Sequence, residues 1–195
     1  MNTNGILSFR APFTTASSQN FPRSSDVLIA PFWDDVNTNV AGNIFYRFSS
    51  DQSLLDLVRS SITDGSGFSP TSLFIATWDR VGEFGGSSSV VSQKWKSYRM
   101  VESILSLQVN TFQAVLATDG SSTYVLFLYE DIQWGENSTS IGFNAGDNLR
   151  FFNLDTSTIP GGILNIENSS NVGVPGRYIF RVDQNSKLSS SYVIV

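Results

Sequence analysis

Alternation of apolar and polar positions with a period of two recurs along the chain, between clusters of Gly, Asn, Asp and Ser. This pattern predicts strands at Gly5–Phe9, Asn43–Phe48, Leu73–Val81, Thr111–Thr118, Thr123–Tyr129, Ser140–Ala145, Leu149–Leu154, Gly162–Ile166 and Gly176–Val182. The clearest hairpin joins Val109–Thr118 to Thr123–Tyr129 through Asp119-Gly120-Ser121-Ser122, because Asp-Gly tolerates the positive φ of a tight turn. One segment breaks the pattern. Leu54, Leu55, Val58 and Ile62 recur at helical spacing after Ser50-Asp51, which predicts one short capped helix over Asp51–Ile62. In the run Phe74-Ile75-Ala76-Thr77-Trp78, strand alternation places Phe74, Ala76 and Trp78 on one face and Ile75 and Thr77 on the other, so Trp78 is expected in the core. Trp33, beside Pro31 and Phe32, is expected to be buried as well. The fold class is all-β: a β-sandwich of mostly antiparallel strands with one short helix and no internal repeat.

Composition narrows the chemistry. The 195 residues are enough for one domain with a real core, and 41% hydrophobic against 15% charged describes a chain that folds. A net charge of -5 speaks against a nucleic-acid partner. With no His, the usual general base and the Ser-His and Cys-His pairs are missing; with no Cys, disulfides, thiol nucleophiles and Cys/His zinc sites go too. The start Met1-Asn2-Thr3-Asn4-Gly5 has no basic region or apolar run of a secretory signal, and nothing approaches the ~18 apolar residues of a membrane span. The chain therefore reads as intracellular or as a segment of a longer secreted protein. Asn137-Ser138-Thr139 and Asn168-Ser169-Ser170 are N-glycan acceptors in the second case and plain surface turns in the first.

Two stretches stand apart in composition. Residues 85–108 pass from a Gly-Ser run into Lys94-Trp95-Lys96-Ser97-Tyr98-Arg99, and residues 184–195 are Ser-rich and end Tyr192-Val193-Ile194-Val195. The first is expected to be a long exposed loop. The second is expected to be a loosely ordered tail or an added edge strand.

Several ordered blocks resemble the NIDO, or nidogen-like, domain family: Leu28–Val36, Gly42–Arg47, Ala76–Gly82, Asn110–Gly120, Tyr124–Tyr129, Ile132–Trp134, Ile141–Gly146 and Ser170–Asp183. The motif residues within them are Trp33, Asp34, Asp35, Trp78, Arg80, Asp119, Gly120, Trp134, Gly173, Pro175, Gly176 and Arg177. The resemblance spans residues 5–183. It implies a noncatalytic extracellular or cell-surface module associated with cell-matrix adhesion. Its implied partners are matrix or cell-surface proteins, or neighbouring domains of a parent chain. Family members pass from the Trp78 block to the Asn110 block by a short connection, so the insert at 85–108 is either a lineage-specific loop or a translated intron. The tail is open to the same two readings.

The remaining candidates for chemistry each have two readings. Asp34 and Asp35 hold Ca²⁺, or act as acid and base, if the stretch around Asn37 and Asn39 is a turn; otherwise they stabilise that turn by accepting backbone N–H groups. No other cofactor is implied. Glu130-Asp131 reads as a solvated strand end. Asp64-Gly65-Ser66 and Asp119-Gly120-Ser121 lack the order of an aspartic-protease site and read as turns, so no catalytic residue is assigned. Trp33, Trp78, Trp134 and Trp95 carry the alternative function, a lectin-like β-sandwich in which an exposed indole stacks on sugar. Arg80 and Arg177 are expected to pair with Asp34, Asp35 or Asp79 and to hold loops at one end of the sandwich.

Overall fold

The computed structural model describes residues 2–23, 25–64, 66–86, 89–90 and 105–184. In chain order they form β1 (Leu7–Ser8), β2 (Leu28–Trp33), β3 (Val36–Asn37), β4 (Asn43–Ser49), α1 (Gln52–Ser61), β5 (Ser72–Glu83), β6 (Ser89–Val90), β7 (Leu105–Ser106), β8 (Val109–Thr118), β9 (Thr123–Ile132), β10 (Ser140–Asn144), β11 (Phe151–Asn153) and β12 (Arg177–Arg181). Every strand pair is antiparallel.

Two sheets face each other. The smaller has the order β1-β2-β10-β11 and the larger β12-β9-β8-β5. The outer edge of β5 is shared by β3, which pairs Val36 with Glu83, and by β4, which pairs Asn43 with Asp79 and Ser49 with Leu73. Phe32, Trp78, Phe112, Phe127, Ile141 and Tyr178 fill the space between the sheets. The period of two along β5 divides its residues as expected: Ala76 and Trp78 enter this core, while Leu73 and Ile75 enter a second apolar layer on the outer face of the larger sheet. That layer is covered by α1. Leu55 and Val58 are buried there with Leu54 and Ile62 packed alongside, and the Asp51 carboxylate caps the helix by accepting the Leu54 N–H at 3.1 Å.

A third apolar layer lies behind the smaller sheet, where Trp33, Leu28 and Ala30 meet Ile6, Phe13 and Phe21 of the N-terminal segment. β2 is therefore buried along its whole length and shows no alternation. It also carries Pro31, which cannot donate to a ladder. The register slips opposite it, from Ala30↔Gly142 to Trp33↔Ser140, so no ladder N–H is required there.

The larger sheet bends along one row. In β5, Asp79 and Arg80 together oppose the single residue Thr111 between Trp78↔Phe112 and Val81↔Asn110, and in β9 Glu130 is extra between Tyr129↔Phe112 and Asp131↔Thr111. Arg80 takes φ 51° at this bulge, and its N–H is taken by Thr111 Oγ1 at 3.2 Å. Glu130 thus sits within a continuing strand and not at a strand end.

Two predicted elements differ. Residues 162–166 do not form a strand; Ile163–Asn168 is a 3₁₀ segment kinked at Asn165 (φ -121°), entered through Gly162 at φ 72° and tied back by Asn165 Nδ2 to the Pro160 carbonyl at 2.6 Å. Within the insert, Ser89 pairs with Ser106 and Val90 with Leu105, so its ends meet as a short ladder. Lys94–Arg99, with Trp95, and the tail residues Tyr192–Val195 lie outside the described residues.

Candidate functional site

The three described tryptophans are structural. Trp33 and Trp78 are 0% exposed and Trp134 is 3% exposed, so none offers a face to a sugar. Each indole N–H donates to a backbone carbonyl instead: Trp33 to Thr15 at 3.3 Å, Trp78 to Thr3 at 3.0 Å and Trp134 to Val81 at 2.9 Å. Two of these bonds fasten the N-terminal segment to the sandwich. The third joins the segment just after β9 to β5, with Asn110 beside it accepting the Gln133 and Trp134 N–H groups at 2.8 and 3.1 Å.

The acidic candidates are likewise occupied. Asp34 accepts the Asp35 N–H at 2.9 Å and the Thr139 hydroxyl, so it stabilises the turn between β2 and β3. Burial, and then the Asp34 charge, push the Asp35 carboxyl above its usual range; Glu83 is raised by burial and by Asp34, Glu136 and Asp35. These carboxylates form an acidic end, but among the described residues no three acidic groups converge on a point that holds a metal ion. Asp119 lies at the opposite end of β8. It accepts the Ser121 and Ser122 N–H groups at 2.9 and 2.7 Å, with Gly120 at φ 92° between them, and these bonds hold its carboxyl below the usual range.

The arginine expectation is not met. Among the described residues no ion pair joins Arg80 or Arg177 to Asp34, Asp35 or Asp79. Arg80 contributes its backbone to the bulge. Arg177 reaches across to the end of α1, donating to Ser61 Oγ at 3.0 Å. The loop before it is a backbone device: Ser170 Oγ accepts the Val172 and Val174 N–H groups, Gly173 stands at φ 74°, Pro175 is exposed, and Gly176 packs against the Tyr129 carbonyl. Both sequon asparagines, Asn137 and Asn168, are exposed.

Beyond the individual motif residues lies an aromatic edge, which the Gly42–Arg47 block spans in part. β4 closes one side of the larger sheet, and Phe45, Tyr46 and Phe48 are 56%, 64% and 79% exposed. Ile44, Tyr46 and Phe48 share one face, where the Tyr46 and Phe48 rings lie 6.1 and 5.0 Å from Phe74. Beside them Phe9, Leu73, Phe74 and Leu116 line an apolar groove of about 360 Å³, with Thr118 and Thr123 at its far side. Aromatic residues at adjacent positions of Asn43–Phe48 put apolar surface on both faces of one strand, and that was the available signal. Large apolar side chains left exposed together mark an interaction surface.

The sequence model of the nidogen-like (NIDO) domain matches residues 1–184. The chain belongs to the NIDO family. Alpha-tectorin of Mus musculus is 36% identical over 202 residues, covering 94% of this chain and 8% of that protein. Nidogen-2 of Mus musculus is 32% identical, covering 93% of this chain and 14% of that protein, and nidogen of Drosophila melanogaster is 31% identical, covering 93% and 13%. The chain thus spans 14% or less of the length of these relatives. No solved structure matches it. For this NIDO domain, the motif tryptophans, Asp34, Asp119 and Gly176 are accounted for by the core, turns and close backbone contacts, and the aromatic edge overlaps the Gly42–Arg47 block, with Phe48 just beyond it.

Proposed function

We propose that this NIDO domain is a noncatalytic interaction module of a larger extracellular or cell-surface protein, contributing to cell-matrix adhesion. The observation that carries the reading is the aromatic edge of β4 with its groove: a rigid sandwich presents Phe45, Tyr46, Phe48 and Phe9 to solvent at one side. The partners are matrix proteins or neighbouring domains of the parent chain. Kinship with alpha-tectorin and the nidogens supports an extracellular setting, as do the two exposed sequon asparagines. The absence of His and Cys and the engagement of Asp34 and Asp119 in turns support a binding role over catalysis.

The test is surface-plasmon resonance of the immobilised 195-residue chain against a panel of purified matrix proteins, with Phe48→Ser as the control variant. Saturable binding that weakens at least roughly tenfold in the variant is expected, as for an aromatic anchor. No saturable binding to any panel member, or binding unaffected by Phe48→Ser, overturns it.

A further inference from the structure

β4 spends one edge on β5, and among the described residues no strand pairs with its other edge. That free edge is seven residues long, Asn43-Ile44-Phe45-Tyr46-Arg47-Phe48-Ser49, and carries no Pro, no Lys and no bulge. Natural sheets protect such edges with those devices. An aromatic edge with Arg47 as its single charge points to a strand that covers it.

We infer that the covering strand is β4 of a second copy of this chain, paired antiparallel about a two-fold axis through Tyr46. The inference rests on reading the β4 edge as the interaction surface. A two-fold axis perpendicular to a sheet keeps each side chain on its own face, so a self-pairing must be centred on a residue and not between two. Centring on Tyr46 is the register in which all seven residues find partners: Asn43 opposes Ser49, Ile44 opposes Phe48, Phe45 opposes Arg47, and Tyr46 opposes itself. On one face this gives a continuous apolar row, Phe48, Ile44 and the paired Tyr46 rings, joined to Phe74 and the groove in each copy. On the other face the strand's one charge, Arg47, lies twice against the Phe45 ring, a cation over an aromatic. Centring on Arg47 places the two guanidinium groups directly opposite, which is repulsive. Centring on Phe45 or Phe48 leaves Arg47 against Asn43 or Ser49, with fewer residues paired.

The area sets the strength. Three aromatic side chains of ~150–250 Å² each, exposed by 56%, 64% and 79%, supply about 400 Å² per copy. That is roughly half of the ~800 Å² per partner in a standard interface, so the contact is weak and reversible for isolated domains and strengthens when several are tethered together.

Sedimentation velocity on the full chain over a range from ~10 to ~500 μM tests this, a span that brackets weak association. Wild type is expected to show a concentration-dependent monomer-dimer equilibrium. Tyr46→Lys and Tyr46→Glu, each placing like charges on the axis, are expected to weaken it at least roughly tenfold with unchanged circular dichroism, because Tyr46 is on the surface. An equimolar mixture of the two is expected to recover the dimer, since Lys then faces Glu. That recovery is specific to the Tyr46 register. A monomeric wild type, a dimer that survives either substitution, or a mixture that stays monomeric overturns the inference. A monomeric wild type that still binds matrix protein through Phe48 overturns self-pairing while leaving the proposed function standing.

Discussion

The Tyr129 hydroxyl donates to the Pro31 carbonyl at 2.6 Å, joining β9 of the larger sheet to β2 of the smaller across the buried interior. Burial pushes this hydroxyl well above its ordinary pKa, which favours the neutral form that donates. Pro31 lies where the β2 register slips, and its carbonyl finds its partner in the opposite sheet. Tyr129→Phe removes the donor and leaves that acceptor buried without one. We expect a loss of about 1–2 kcal/mol, seen as a fall of about 3–6 °C in Tm by differential scanning calorimetry. An unchanged Tm shows that water replaces the hydroxyl.

Two glycines in one loop separate backbone conformation from close packing. Gly173 and Gly176 both have φ near +70°, but a Cβ on Gly173 meets nothing within 4 Å, whereas one on Gly176 lies 2.5 Å from the Tyr129 carbonyl oxygen. Gly173→Ala carries only the left-handed backbone cost, about 1–2 kcal/mol. Gly176→Ala must also break the pairing of the Tyr129 N–H with the Gly176 carbonyl, at 2.8 Å. We expect Gly176→Ala to lower Tm by at least twice as much as Gly173→Ala, or to abolish soluble expression. Equal shifts count against the close contact.

The elements most legible in the sequence were those whose pattern had one cause. The helix Gln52–Ser61 follows from Leu54, Leu55, Val58 and Ile62 behind an Asp51 cap, and the β8–β9 hairpin follows from Asp119-Gly120 between alternating runs. β2 was illegible as a strand because apolar layers on both of its faces erase alternation, and because Pro31 is admissible only at a register slip made by a distant strand. Residues 162–166 alternate like a strand, yet Asn165 and Asn168 bond locally and the chain turns instead. The aromatic edge was hidden for the opposite reason. Phe45, Tyr46 and Phe48 look like core residues, and only the sheet order shows that β4 is an edge.

The acidic end between β3 and β5 carries a pH dependence. Glu83 is partly buried, and its pKa is raised first by burial and then by Asp34, Glu136 and Asp35. Its folded value therefore lies above its unfolded one, so the folded state binds the proton more tightly. Stability falls as pH rises from the ordinary carboxylate range through the raised value, and the penalty is complete above it. Glu83→Gln removes the charge. Discounted for its partial exposure, the gain is about 0.5–1 kcal/mol at pH 7.5, a Tm rise of about 1–4 °C, and it disappears near pH ~3, below the ordinary carboxylate range, where the wild-type side chain is protonated in both states. Thermal melts of both proteins at the two pH values decide the matter. A variant less stable than wild type at pH 7.5 shows that Glu83 makes a favourable contact that outweighs the repulsion.

The two sequons differ in how their hydroxyls are used, and glycosylation tests whether each site is compatible with passage through the secretory pathway. Asn137 and Asn168 are exposed, while Thr139 Oγ1 is buried between Asp34 and the Glu136 N–H and Ser170 Oγ is buried under Val172 and Val174. Glycan transfer acts on the chain before these hydroxyls are enclosed, and each folded asparagine side chain then points a glycan outward without disturbing the core. Expressed behind a secretory leader in cultured animal cells, the chain is expected to carry glycans at both positions, removed by an amidase and lost one at a time in Asn137→Gln and Asn168→Gln. Neither substitution touches a buried side chain, so secretion continues and stability changes by less than about 0.5 kcal/mol. Asn168 donates to Asn165 Oδ1 at 2.8 Å within the 3₁₀ helix, a bond that its glutamine variant loses at the surface. Unmodified secreted protein at both positions removes this support for an extracellular setting. Modification at Asn137 alone indicates that the Ile163–Asn168 helix closes before transfer reaches Asn168.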